Sequence, residues 1–160
     1  MFIRFITTGG TIDKIYFDAL SQFEIGDSQI KYILTEGLAD FDYEIVPLLQ
    51  KDSIDMTDED RMAIRDYIAN DTADRYVITH GTDTMPETAD VLADLPGKTI
   101  VLTGALSPAR FKSTDAVFNI GMAVATAQVA APGVYIAMSG QIFPAGEVRK
   151  NRAKNRFEKL

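Results

Sequence analysis

Tyr76-Val77-Ile78-Thr79-His80-Gly81-Thr82-Asp83-Thr84 is the stretch that decides the fold of this 160-residue chain. Its first residues are apolar strand formers, and they break at once into hydroxyl, imidazole, glycine and carboxylate groups. Met85-Pro86-Glu87-Thr88 follows and reads as a helix start. The pattern is strand, polar turn, helix. In an open parallel sheet, ligands bind outside the carboxyl ends of the strands, so such a turn is where a site is expected.

Outward from this stretch the pattern recurs. Met1 to Thr7 reads as a first strand running into a second polar turn, Thr8-Gly9-Gly10-Thr11. Ile12 to Asp27 has no clear period and reads as a long irregular loop of the kind that serves as a lid. A helix is predicted from about Ser28 to Ala39 and a second strand over Tyr43 to Leu49. Thr57-Asp58-Glu59-Asp60 starts another helix, with Met62, Ile64, Tyr67 and Ile68 on its buried face. The third strand, Arg75 to Thr79, leads into a helix over Met85 to Ala93. A fourth strand covers Thr99 to Thr103, an apolar helix runs from about Ser113 to Ala130, and a fifth strand covers Val134 to Met138. Ser139 to Lys150 reads as a loop or short hairpin. Apolar strands alternating with helices indicate an α/β fold, a doubly wound, mostly parallel sheet with helices on both faces.

The length fits one domain with a sizeable core. There is no cysteine and one histidine, His80, which excludes disulfides, a cysteine nucleophile and multi-histidine zinc chemistry, and fits a cytoplasmic protein. No apolar run approaches a membrane span, and the N-terminus reads as a strand rather than a secretory segment. The net charge is −7, but six of the sixteen basic residues fall within 147 to 160. The acidic body argues against nucleic acid as a partner. The basic tail, with Arg149, Lys150, Arg152, Lys154, Arg156 and Lys159, reads as a solvated or intersubunit segment.

Two polar turns after two strands can face each other across one crevice of a doubly wound sheet. Gly9-Gly10 lacks G-x-G-x-x-G spacing and a P-loop lysine, so no nucleotide cofactor is expected. Glycine amides in the turns can serve as donors to a carboxylate or an oxyanion. A threonine hydroxyl becomes a nucleophile when a base takes its proton. Asp83 supplies a carboxylate, and Lys150 is a candidate base if the chain returns to the crevice after the fifth strand. Spacing does not rank Thr11 above Thr82 as the attacking hydroxyl, and either threonine can also be read as a turn or cap residue.

Thr8-Gly9-Gly10-Thr11-Ile12 together with Ile78-Thr79-His80-Gly81-Thr82-Asp83-Thr84-Met85 resembles the two signatures of the asparaginase/glutaminase family, amidohydrolases with a threonine nucleophile. Asp52-Ser53-Ile54-Asp55-Met56-Thr57 is similar to its substrate-binding segment. Leu102-Thr103-Gly104-Ala105-Leu106 with Pro108, then Asp115 and Phe118-Asn119, is similar to its fourth-strand segment and following helix. Glu147-Val148-Arg149-Lys150-Asn151 is similar to the segment that delivers its lysine. The resemblance implies the Rossmann- or flavodoxin-like fold of the family's N-terminal domain, with the family's C-terminal domain expected to be absent from residues 1–160. It implies that Thr11 attacks the amide and that Thr82, Asp83 and Lys150 relay protons. It implies substrate contacts from Gly10, Asp52, Ser53, Gly81, Thr82, Asp83 and Ala105.

This sequence departs from the family pattern at two places. Phe23, in Phe23-Glu24-Ile25-Gly26, stands where the family's first loop carries a tyrosine, so Tyr16 is the expected substitute, and Ile54 stands where many members have glutamine. His80 reads as a turn histidine bonded to backbone, Gly104 and Asp115 as turn and helix-start residues, and Met122 and Met138 as core packing. The expected function is hydrolysis of a small amino-acid amide, L-asparagine foremost, in a homo-oligomer without metal or cofactor. The alternatives are a non-catalytic amino-acid-binding domain and a partner-dependent amidase domain of an amidotransferase-like assembly.

Overall fold

The computed structural model describes residues 1–17 and 22–160. In chain order its elements are β1 (Phe2–Gly9), β2 (Lys14–Phe17), β3 (Gln22–Ile25), α1 (Ile30–Glu36), β4 (Asp42–Lys51) and α2 (Asp58–Asn70). They continue with β5 (Arg75–Thr79), α3 (Met85–Leu92), β6 (Thr99–Thr103), α4 (Ala116–Val129), β7 (Gly133–Met138), β8 (Gln141–Pro144), β9 (Val148–Asn151) and β10 (Arg156–Lys159).

The main sheet has the order β4-β1-β5-β6-β7-β8, parallel throughout except for the antiparallel β7–β8 pair. Its central strands are buried on both faces, which is why β5 and β6 read as unbroken apolar runs. Ile64 and Ile68 of α2 and Met85, Ala89 and Leu92 of α3 pack on one face, against Tyr76, Ile78, Ile100 and Leu102. Ile30, Ile33 and Leu34 of α1 and Ala116, Ile120, Ala123 and Ala127 of α4 pack on the other, against Phe5, Val77 and Val101. The sheet is therefore doubly wound, as expected. The strand order reverses between β1 and β5, and the crevice at that switch point is where such folds bind ligands.

One crossover breaks the pattern. The connections β4–α2–β5 and β5–α3–β6 move toward β8 with their helices on one face, and β1–α1–β4 moves the opposite way with its helix on the other, so these three share a hand. β6–α4–β7 moves toward β8 with its helix on the α1 face and has the opposite hand. Crossovers of one hand make up about 98% of such units, so this one is the exception. It lays the start of α4 behind the carboxyl end of β6.

Several boundaries differ from the sequence reading for local reasons. α1 ends at Glu36, not Ala39, because Leu38 takes a left-handed φ of 50° and the Gly37 and Ala39 N–H groups fold back onto Ile33 and Leu34. α4 begins at Ala116, not Ser113, because Thr114 and Asp115 are spent on the turn before it. α2 starts as expected, with a capping box between Thr57 and Asp60. The stretch read as irregular, Ile12 to Asp27, contains an antiparallel hairpin, β2–β3; the part of that expectation falling on 18–21 lies outside the described residues. The basic tail read as a solvated or intersubunit segment keeps Arg149, Arg152, Lys154, Arg156 and Lys159 exposed, but β9 and β10 pair as a second hairpin that buries Val148 and Phe157 in the α2/α3-side core. Among the described residues no helix is long and apolar enough to cross a membrane.

Candidate active site

β1 ends at Gly9 and Gly10 with φ of 97° and 89°, a backbone that glycine adopts freely and other residues adopt under strain. A Cβ on Gly10 would stand 2.5 Å from Gly81 N, and one on Gly81 would stand 2.6 Å from Ser53 Oγ. Glycine at these positions lets the turns after β1, β4 and β5 touch backbone to backbone. Thr11, half-buried, opens a short 3-10 turn directly after Gly10. Ser53 is fully buried, and its hydroxyl accepts from Asp83 N–H at 3.2 Å, while its carbonyl accepts from Thr84 Oγ1 at 2.8 Å.

Lys150 closes the arrangement from a distant part of the chain. Its Nζ donates to Thr82 Oγ1 at 2.5 Å and to Asp83 Oδ1 at 3.0 Å, and its side chain is 8% exposed. Register explains the reach. Lys150 pairs with Phe157 across the β9–β10 hairpin, and directly opposed residues share a face, so the buried phenyl ring turns Lys150 inward with it. The outward pair, Arg149 and Glu158, forms an exposed salt bridge at 2.9 Å.

His80 is fully buried in the turn between these groups. Its Nδ1 faces the Gly81 carbonyl at 2.7 Å and therefore carries the proton, and its Nε2 accepts from Thr88 Oγ1 at 2.8 Å. Burial pushes its pKa down to about 4, so it stays neutral near pH 7 and braces the turn. This agrees with the reading of a backbone-bonded histidine.

The turn after β6 is held from behind. Asp115 accepts from Leu106 N–H at 2.9 Å and from Ser107 N–H at 3.0 Å, and also from Asn119 Nδ2 at 2.9 Å. Asn119 in turn donates to Gly104 O at 3.0 Å and accepts from Ser139 N–H at 3.0 Å. Asp115 is thus a turn-bracing residue at the helix start, as its spacing suggested. Ala105 is buried in the α1/α4-side core, facing away from solvent.

Not every expected site residue stands with this group. Tyr16 lies on β2 opposite Phe23, ring centroids 5.5 Å apart, and is 53% exposed; among the described residues the site's hydrogen bonds do not include it. Asp52 is held by Lys14 at 2.8 Å. Partial burial works against its charge, yet Lys14 and the Ile54 N–H hold the carboxyl below its usual range. Sequence reasoning missed Lys14, and it missed Arg152, whose Nε is 3.7 Å from Asp83 Oδ1. The only available signal was a cation three residues after Thr11 and another two after Lys150.

Residues 2–158 match the family described as Asparaginase, N-terminal. The chain is 34% identical over 153 residues to an L-asparaginase of Thermococcus kodakarensis, covering 89% of this chain and 45% of that protein. The solved structure of the thermostable L-asparaginase from Thermococcus kodakarensis superposes on all of this chain and 51% of its own, with a TM-score of 0.86 at 29% identity. A shorter match, 43% identity over 85 residues, is to a glutamyl-tRNA(Gln) amidotransferase component of Methanococcus vannielii, covering 50% of this chain and 19% of that one. The chain spans about half the length of the L-asparaginases it matches. With the two glycine-threonine turns at the sheet's switch point and a family match running almost end to end, this chain belongs to the asparaginase family.

Proposed function

We propose that this chain hydrolyses the side-chain amide of L-asparagine, or of a related small amide, to a carboxylate and ammonia through a threonine acyl-enzyme. The observation that supports it is Lys150 Nζ within hydrogen-bond reach of both Thr82 and Asp83, almost sealed from water. Thr11 Oγ1 attacks the amide carbon while its proton passes to the Thr82–Lys150 pair. The glycine-turn amide at Gly81 stabilises the oxyanion, while that of Gly10 is held by Lys51 O at 3.0 Å. The carbon–nitrogen bond breaks, the nitrogen takes the proton and leaves as ammonia, and Thr11 is left esterified. Water then adds to the ester, its proton returns through the same pair to Thr11, and the carboxylate departs.

In this reading Ser53 and Asp83 hold the carboxylate and ammonium ends of the substrate, Asp52 completes the wall, and Tyr16 supplies the hydroxyl that Phe23 lacks. The working form is a cytoplasmic homo-oligomer whose neighbouring copy completes the site. Ammonia release from a panel of L- and D-asparagine, glutamine and simple amides is the test. Turnover is expected with the wild type and is expected to vanish in Thr11→Ala and Thr82→Val with melting unchanged. A folded wild type that hydrolyses none of them overturns the proposal, and light scattering that finds only monomer removes the oligomeric part.

The similarity to an amidotransferase component supports a second, weaker reading, a partner-dependent amidase domain. It predicts ammonia release only after a partner chain is added.

A further inference from the structure

Asp13, two positions after Thr11, is 2% exposed and takes no part in the chemistry above. Its N–H donates to Gly10 O at 3.2 Å, and its own carbonyl accepts from Gly26 N–H at 2.8 Å. Its carboxylate accepts from Gln29 N–H at 3.0 Å. Gly10 immediately precedes Thr11, Gly26 follows the last strand of the β2–β3 hairpin, and Gln29 is the N-cap of α1. One residue thus joins the turn carrying Thr11 to the exit of the hairpin and to a helix packed on the core. A cavity of about 50 Å³, walled partly by Thr7, Asp27, Ser28 and Gln50, adjoins the carboxyl.

This carboxyl works against stability at neutral pH. Burial raises its pKa to about 6, with the Gln29 N–H and Arg110 pulling it partly back, and the other charged group on the cavity wall is Asp27. An asparagine would fill the same space without a buried charge. A charged acceptor nevertheless holds an N–H roughly twice as strongly as a neutral one.

We propose that Asp13 is a positioning residue for the Thr11 hydroxyl: its carboxylate, through Gln29 N–H, fastens the Thr11 turn and the β2–β3 hairpin to α1. The inference rests on Thr11 being the nucleophile. Misplacing a reacting group by about 1 Å can cost on the order of a hundredfold in rate.

The test compares wild type, Asp13→Asn and Asp13→Ala by residue-resolved amide hydrogen exchange at pH 5 and pH 8, by melting at pH 8, and by kcat and KM for L-asparagine. Protection at Gln29 and Gly26 is expected to fall in both variants. In Asp13→Asn, kcat is expected to drop about tenfold or more with KM changed less than about twofold, while the melting temperature stays level or rises. A merely structural role would not pair slower turnover with equal or greater stability. Wild-type kcat in Asp13→Asn, or unchanged protection in both variants, overturns the proposal. Should the folded wild type hydrolyse no amide, the mechanism fails separately, and the exchange comparison still decides whether Asp13 fastens the Thr11 turn.

Discussion

Removing the Lys150 amine is expected to remove turnover and leave the fold in place. Lys150→Met keeps the stem that packs with the hairpin, and Asp83, a third exposed, regains solvent when its partner goes. Loss of a positioned proton-transfer group costs typically about a hundredfold to ten-thousandfold in rate. Ammonia release should fall by that order while the melting temperature moves little. Lys150→Arg should not rescue, because a guanidinium stays protonated. At this scale the sequence was most informative: Thr11, Thr82 and Asp83 sit in polar turns that follow strand ends, and Ser53 stood out only through the family resemblance. The Lys14–Asp52 ion pair, the approach of Arg152 to Asp83 and the burial of Asp13 were not legible, because each depends on which loops fold onto one another and leaves no local period or spacing.

The β9–β10 hairpin is the element on which the site depends most. Its strands, Val148-Arg149-Lys150-Asn151 and Arg156-Phe157-Glu158-Lys159, each hold a single apolar residue, too little for a periodic signal, so the segment reads as a charged tail. The two apolar side chains become legible only once both strands lie on the α2/α3-side core. Phe157→Ala is expected to cost about 3 kcal/mol, the low end for a buried phenylalanine. It should also lower kcat, because Lys150 loses the partner that faces it inward. Arg149→Ala, which breaks only the exposed pair with Glu158, is the control and should change stability by less than about 1 kcal/mol. If Phe157→Ala loses stability with kcat intact, the hairpin does not position Lys150.

For the whole molecule, the alternation of strands and helices made the doubly wound sheet readable, whereas the opposite-handed β6–α4–β7 crossover was not. An apolar helix between two apolar strands reads alike on either face, and nothing local in Ala116–Val129 selects the α1 side.

Two buried groups near the site also leave a mark on global stability. His80 is pushed from its ordinary 6.5 to about 4, so between those values the unfolded chain takes a proton that the folded chain refuses, and stability falls as the pH falls. Asp13 is raised from 3.8 to about 6, so over that interval the folded chain holds a proton the unfolded chain has lost, and stability rises as the pH falls. From pH 6 to 4.5 the two oppose each other, each with a limiting slope of about 1.4 kcal/mol per pH unit. The carboxyls of Asp52 and Asp71, held below their ordinary 3.8, lose their contribution only at lower pH. Urea midpoints of the wild type should therefore be nearly level from pH 6 to 4.5. Asp13→Asn removes one side of the balance: its midpoint should exceed the wild type's above pH 6 and decline steadily on acidification to 4.5. Parallel curves for the two proteins would mean that Asp13 carries no raised pKa in the fold, and the opposition between the two groups would fall with it.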